Sequence, residues 1–162
     1  MPKGAQKMRV AIASDHGGFG FKEPLVRYIE SLGYEVEDCG PDSFDRVDYP
    51  DYADIVARKV ANQEADYGVL ICGTGLGMAI TADKVAGVRA ATVTSHMFAK
   101  LARQHNNANV LCLSGRFVSL VDNMDFVRTF LGTAFEGGRH ERRIKKIMRE
   151  DDPNFTGVIS DR

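Results

Sequence analysis

Apolar runs and amphipathic stretches alternate along the whole chain at nearly regular intervals. MRVAIAS (Met8–Ser14) is a continuous apolar run of strand length, and the stretch after it predicts a helix from Phe19 to Leu32. Pro24 fits that helix only if it falls in the first turn. Gly33 stands where a C-terminal glycine cap is expected. YEVEDCG (34–40) reads as a shorter strand, and the loop PDSFDRVDYP (41–50) leads into a helix over Tyr52–Asn62, with Ile55, Val56 and Val60 apolar. YGVLIC (Tyr67–Cys72) predicts a third strand and Leu76–Val85 a helix. VRAATVT (Val88–Thr94) follows as a fourth strand, then a helix over Met97–Gln104. ANVLCLSG (108–115) is the fifth strand, before helices over Val121–Leu131 and Arg139–Glu150. DDPNFTGVISDR (151–162) reads as a loose tail.

Strands this uniformly apolar, separated by helices, predict an α/β fold with a parallel sheet covered on both faces. No linker or repeat divides the chain, so residues 1–150 are expected to form one domain, with 1–7 as an N-terminal extension and 151–162 as the tail. Open sheets of this class bind ligands beyond the C-terminal ends of their strands. Attention therefore falls on Ser14-Asp15-His16-Gly17-Gly18, Cys72–Gly77, Thr94-Ser95-His96 and Ser114-Gly115-Arg116.

Net charge is −1, so no global field draws nucleic acid or an anionic membrane; neither partner is expected. The basic stretch RHERRIKKIMRE (139–150) is short and broken by glutamates. The three cysteines are far apart and form no C-x-x-C pair, which argues against a zinc knuckle or a disulfide framework and for a reducing compartment. No apolar stretch reaches the roughly 18 residues of a membrane span. MPKGAQK lacks the apolar core of a secretory signal. The expected location is cytoplasmic.

Tyr67–Met78, YGVLICGTGLGM, places a thiol where a buried strand turns into a helix, followed by glycines at alternate positions. Gly73, Gly75 and Gly77 let backbone N–H groups approach a small anion, or simply permit a tight turn. The helix starting near Leu76 directs its positive end at Cys72, favouring a thiolate that could act as nucleophile or base. Cys112 reads as an inert core thiol. A dinucleotide site is disfavoured, because Met78-Ala79 interrupts G-x-G-x-x-G and the next strand ends in Thr94-Ser95 rather than an acid. A cysteine phosphatase needs an arginine where Met78 stands. Asp15 can cap a helix or handle a hydroxyl, and His16 can be solvated or hold phosphate. His105 and Asn106, in RQHNNANV, are loop residues, with His105 a candidate proton carrier. Arg139 and Arg143 project from one helix face and suit phosphate, or could form a salt-bridged surface with Glu136 and Glu150.

Together, SDHGG, DYPDYA, ICGTGLG, ADKVAGVRA, RQHNNANVL, SGR and FEGGRHERR resemble type B ribose-5-phosphate isomerases and their allose and galactose 6-phosphate relatives, from about Met8 to Arg149. The resemblance implies a Rossmann-like three-layer α/β/α sandwich with a five-stranded parallel sheet. It implies an aldose–ketose isomerase with Cys72 as the base, since Leu76 stands where other members carry a glutamate. It implies ring opening by His105 with Asp15, Asn106 near the reacting oxygens, and Thr74 with the amides of Gly73, Gly75 and Gly77 facing the enediolate. Tyr49 would touch sugar hydroxyls. His16, Arg116, Arg139 and Arg143 would hold the phosphate, with His140 nearby. No metal and no cofactor is implied. The implied partners are a small sugar phosphate and a second copy of the chain, in a homodimer with shared sites or a dimer of dimers. The rivals are a six-carbon substrate such as allose 6-phosphate, and a non-catalytic sugar-phosphate sensor.

Overall fold

A computed structural model describes residues 6–157. Its elements alternate as β1 (Arg9–Ser14), α1 (Phe19–Ser31), β2 (Glu35–Asp38), α2 (Tyr49–Ala61), β3 (Tyr67–Cys72), α3 (Leu76–Ala82), β4 (Ala90–Thr92), α4 (His96–Gln104), β5 (Val110–Ser114), α5 (Leu120–Gly132) and α6 (Arg139–Met148). A 3-10 turn (Arg149–Asp151) closes α6. All five strands are parallel, in the order β2-β1-β3-β5-β4. The expected three-layer sandwich is present. Among the described residues no helix is long and apolar enough to cross a membrane.

Strand alternation sorts the core into two layers. Val10, Ile12, Val69, Ile71, Leu111 and Leu113 face Leu25 and Ile29 of α1, Ala99 and Ala102 of α4, and Phe126 and Phe130 of α5. Ala11, Ala13, Leu70, Cys72, Val110 and Cys112 face α2 and α3. The second face is built from smaller residues, so α2 approaches closely. A Cβ on Gly68 would lie 2.7 Å from Val56 Cγ1.

The helix ends follow local chemistry. Gly33, at φ +99°, ends α1: its N–H donates to the Glu30 carbonyl and that of Tyr34 to Ile29, which satisfies two of the last free carbonyls. Pro24, however, lies in the second turn of α1, not the first. It removes the bond to the Gly20 carbonyl, but Gly20 is solvent-exposed, so water can take that acceptor. α2 begins at Tyr49, three residues earlier than expected, because Pro50 is well suited to a first turn and Asp51 sits at the helix's positive end. α3 stops at Ala82, where Asp83 turns its carboxylate back to accept from the Ala90 N–H at 2.7 Å. β4 keeps only three residues, since Asn109 Oδ1 takes the Arg89 N–H at 2.7 Å in place of a ladder bond. The expected tail is partly docked: Asp151 Oδ2 accepts from the Gly87 N–H at 2.8 Å. Residues 1–5 and 158–162 of the expected extension and tail lie outside the described residues.

The turn after β1 leaves no room for a side chain. A Cβ on Gly18 would stand 2.4 Å from the Ile71 carbonyl oxygen, which belongs to backbone and cannot swing aside. Gly18→Ala is expected to lower stability by about 2–3 kcal/mol through this overpacking. Urea unfolding by circular dichroism measures it; a loss under about 0.5 kcal/mol would mean the turn yields.

Candidate active site

The chain moves from β1 outward to β2 and then back across to β3, so the C-terminal ends of β1 and β3 adjoin while their loops leave to opposite faces. Such a reversal opens a crevice at the strand ends. The Asp15 N–H donates to the Ile71 carbonyl at 3.1 Å, stitching the two loops together at their base. A third loop, after β5, closes against them. Gly115 N–H donates to the Cys72 carbonyl at 2.8 Å, and Ser114 Oγ donates to the Gly73 carbonyl at 2.7 Å. A Cβ on Gly115 would lie 2.5 Å from the Gly17 oxygen, and one on Gly17 3.1 Å from the Gly73 nitrogen. Three turns thus meet backbone to backbone.

Cys72 ends β3 within this junction, 4% exposed. Its sulfur accepts the Gly75 N–H at 3.1 Å, and Gly75 can close the turn because it takes φ +82°. The Gly75 carbonyl accepts from Thr92 Oγ1 at 3.1 Å, tying the loop to β4. The other cysteines differ. Burial pushes the Cys112 thiol far up, and burial with nearby carboxylates pushes Cys39 up to about 11. Both are inert thiols at neutral pH, as expected for Cys112.

Five further candidates lie on the turns and loops around this junction. Asp15 Oδ1 accepts from the N–H groups of Gly17 (2.8 Å) and Gly18 (3.1 Å), so one oxygen braces the turn, while Oδ2 makes no hydrogen bond among the described residues. His16 Nδ1 accepts from the Val47 N–H at 3.3 Å; in the neutral ring this puts the proton on Nε2, leaving it as a donor. The Tyr49 ring lies over Gly77, where a Cβ would sit 2.6 Å from it. The Arg116 side chain stretches over Gly73, with Cδ 3.3 Å from a Cβ placed there. Thr74 is exposed on the same loop, its Oγ1 accepting from the Leu76 N–H at 3.2 Å.

His105, Asn106, Arg139, His140 and Arg143 form a second group elsewhere. His105 caps the C-terminal end of α4, just before β5 begins, so it sits at the opposite end of the sheet from Cys72. With β3 six residues long at about 3.3 Å each, the two ends are on the order of 20 Å apart. His105 and His140 stack, with ring centroids 4.2 Å apart and 15° between planes. Glu136 Oε2 lies 3.6 Å from His140 Nε2 and makes no ion pair with an arginine among the described residues, so that part of the salt-bridged alternative is absent. Arg139 and Arg143, exposed and four apart on α6, make no ion pair among the described residues. His105, Glu136 and His140 bring one donor atom each within 4.8 Å of one another. The stacked rings run their in-plane lone pairs side by side instead of converging on one cation, so they do not fit a metal as they stand.

Two organising residues carry no sequence motif. Arg103, 6% exposed, donates from Nε to the Thr133 carbonyl (3.1 Å) and from Nη1 to Asn107 Oδ1 (2.9 Å), fixing the turn that bears His105. Lys22, buried on α1, holds Asp38. Their signal is a charge on an otherwise apolar stripe: Lys22 precedes Leu25 and Ile29 at helical spacing, and Arg103 follows Ala99 and Ala102.

The sequence profile of the Ribose/Galactose Isomerase family matches residues 10–147. The chain is 52% identical over 142 residues to a probable ribose-5-phosphate isomerase B of Mycoplasma genitalium, covering 86% of this chain and 93% of that protein. It is similar to the crystal structure of ribose-5-phosphate isomerase B from Mycoplasma genitalium with bound ribulose-5-phosphate, with TM-score 0.86 and 51% identity over 89% of this chain and 96% of that one. It also resembles the type B ribose 5-phosphate isomerase of Trypanosoma brucei, with TM-score 0.88 and 47% identity over 90% of this chain and 99% of that one.

His140 is held below the ordinary imidazole range, first by burial and then by the charges of His105, Arg139 and Arg143. The native state therefore declines a proton that the unfolded chain accepts below pH about 6.5. This contribution to stability is present above that pH and is lost as pH falls through it. NMR titration of the His140 ring should give a midpoint under 6.5, and His140→Gln should flatten the acid limb of Tm against pH. A midpoint at or above 6.5 contradicts the assignment.

Proposed function

The chain belongs to the Ribose/Galactose Isomerase family, and we propose that it is a cytoplasmic enzyme interconverting D-ribose 5-phosphate and D-ribulose 5-phosphate. The observation that carries this reading is Cys72: a shielded sulfur with a backbone donor on it, beside Asp15, at the crevice where the sheet reverses.

The chemistry assigns each residue a task. The sugar phosphate rests mainly as a ring, so His105 and Asp15 exchange protons with the anomeric hydroxyl and the ring oxygen to open it. The Cys72 thiolate then removes the proton from C2. That electron pair forms the C1–C2 double bond, and the C1 carbonyl oxygen takes the negative charge. Thr74 and the amides of Gly73, Gly75 and Gly77 stabilise this enediolate as donors fixed in advance. A proton passes from the C2 hydroxyl to the C1 oxygen, the charge now on the C2 oxygen returns to form the C2 carbonyl, and C1 takes the proton from the Cys72 thiol. C1 is reduced and C2 oxidised within one molecule, so the overall change needs no external electron acceptor. Tyr49 and Asn106 hold the hydroxyls. His16, Arg116, Arg139 and Arg143 bind the phosphate, with His140 beside them, so that binding energy positions the reacting end.

His105 and Cys72 belong to opposite ends of one chain's sheet, so this mechanism takes them from two chains. We assign a homodimer, alone or as a dimer of dimers, in which the His105 end of one copy meets the Cys72 crevice of the other. Exposed Leu76 and Ile80 on α3 and Met97 and Phe98 on α4 flank the edge strand β4, and they support a covered apolar face there.

Incubated in D2O with chelator-treated protein, ribose 5-phosphate is expected to give ribulose 5-phosphate carrying deuterium at C1 by NMR. Turnover of allose 6-phosphate alone would move the substrate to six carbons, and binding without turnover of either would favour the sensor. Cys72→Ala and His105→Ala should each lose activity by at least about a hundredfold. Unfolded together and refolded, the two variants should recover about a quarter of wild-type activity, because half the dimers are mixed and each carries one intact site. No recovery from mixed dimers would place both groups in one chain.

A further inference from the structure

α1 buries a lysine. Lys22 is 3% exposed, on the same helix face as Leu25 and Ile29. Its ammonium donates to Asp38 Oδ1 at 2.7 Å and to the Pro41 carbonyl at 2.5 Å, and lies 5.4 Å from the centre of the Phe19 ring. An ammonium withdrawn from water is costly unless its donors are met, so these acceptors fix where it can sit. One acceptor is the last residue of β2 and the other lies in the crossover that leaves it. Asp38 Oδ1 also accepts from the Gly40 N–H at 2.9 Å, and the Gly40 carbonyl accepts from the Ser14 N–H at 3.1 Å. The start of the crossover is thereby fastened to the end of β1 and to α1 together.

From this anchor the crossover passes over the turn that bears Asp15 and His16. Phe44 packs edge-on against Phe19, with ring centroids 4.4 Å apart and 72° between planes. The Val47 N–H reaches His16 Nδ1, and two residues later Tyr49 begins α2 with its ring over Gly77. His16 thus receives its tautomer, and Tyr49 its place, from a segment whose origin is held by one buried cation.

We propose that Lys22 is a positioning residue for the sugar phosphate: it fixes the 38–48 crossover against α1, and the crossover sets His16 and Tyr49. This rests on the isomerase reading, although Lys22 itself touches no reacting atom. A lysine that only stabilised the fold would affect unfolding and leave substrate affinity per folded molecule unchanged. A positioning lysine acts on groups that bind substrate before chemistry, so its loss raises KM more than it lowers kcat.

The test is Lys22→Met, which keeps the length of the side chain and removes the charge. Hydrogen exchange at the Val47 amide is expected to quicken about tenfold in the folded variant. KM for ribose 5-phosphate should rise about tenfold with kcat within about threefold, and the dissociation constant of inorganic phosphate, measured by calorimetric titration, should rise in parallel. Asp38→Asn, which retains the Pro41 contact, should move all three the same way by less, and it carries the test if Lys22→Met does not fold. Unchanged exchange, or quicker exchange with unchanged KM and phosphate affinity, would overturn the proposal. The exchange and phosphate titrations need no turnover. A wild-type protein inactive on ribose 5-phosphate would therefore sink the isomerase reading, while phosphate affinity still decides the role of Lys22.

Discussion

Backbone contact among three strand-end turns is the constraint on which the rest depends. Gly18 after β1 and Gly115 after β5 pack so closely that the carbonyl oxygens of Ile71 and Gly17 crowd the places where methyl groups would stand, and Gly17 lies against the backbone of Gly73 after β3. Because the neighbours are main chain, the fit cannot be relieved by a rotamer change. The junction aligns the Asp15 turn with the Cys72 loop, and it brings Arg116 across Gly73. Loops are ordinarily the mobile part of an α/β domain. Here they are held by the sheet itself, and the sulfur that ends β3 takes its position from strand register rather than from loop conformation.

A parallel sheet also imposes a separation. Every strand begins at one end and finishes at the other, so a helix returning from the Cys72 end delivers its C-terminal residues to the opposite end. α4 does this with His105. The turn it reaches is held by Arg103, whose guanidinium is buried against carbonyl groups and lies over the rings of Tyr67 and Phe130, 5.0 and 5.7 Å from their centres. Withdrawing that charge from water is repaid only if its donors are met, and the partners are the groups of this turn, the Thr133 carbonyl and the Tyr67 hydroxyl. The fold therefore holds the Cys72 crevice and the His105 turn rigidly apart. The proposed reaction uses both, and that is the reason it calls for a second copy of the chain.

Much of this was legible in the sequence because it rests on local rules. Uniform apolar strands gave the buried parallel sheet, the spacing of glycines after Cys72 marked the tight turn, and Gly33 marked a helix end. What was not legible depends on contacts distant in sequence. The start of α2 at Tyr49 follows from Pro50 and Asp51 acting together with the packing of Tyr49 on Gly77. The condition that Pro24 lie in the first turn is not met, because the exposure of Gly20 that excuses the proline is a property of the folded surface. β4 is shorter than the apolar run over 88–94 because the Asn109 side chain takes the Arg89 N–H in place of a ladder bond. The burial of Lys22 and Arg103 depends on partners far along the chain, and the only local sign of it is a charge set among apolar helix positions.

The three cysteines show why residue type alone does not identify a site. Cys112 and Cys72 lie on the same face of the sheet, on neighbouring strands, and both are buried. Cys112 is in mid-strand, and burial disfavours its charged form. Cys72 is the last residue of its strand, and the chain turns immediately through glycine, so an amide is directed at its sulfur. A neutral thiol is among the cheapest reactive groups to bury, whereas a carboxylate there would need compensating partners in the folded protein. Placing the thiol at the strand terminus thus combines low cost in folding with a donor available when charge develops. The distinction is one of register: two residues earlier in β3, the same side chain would be one more inert member of the core.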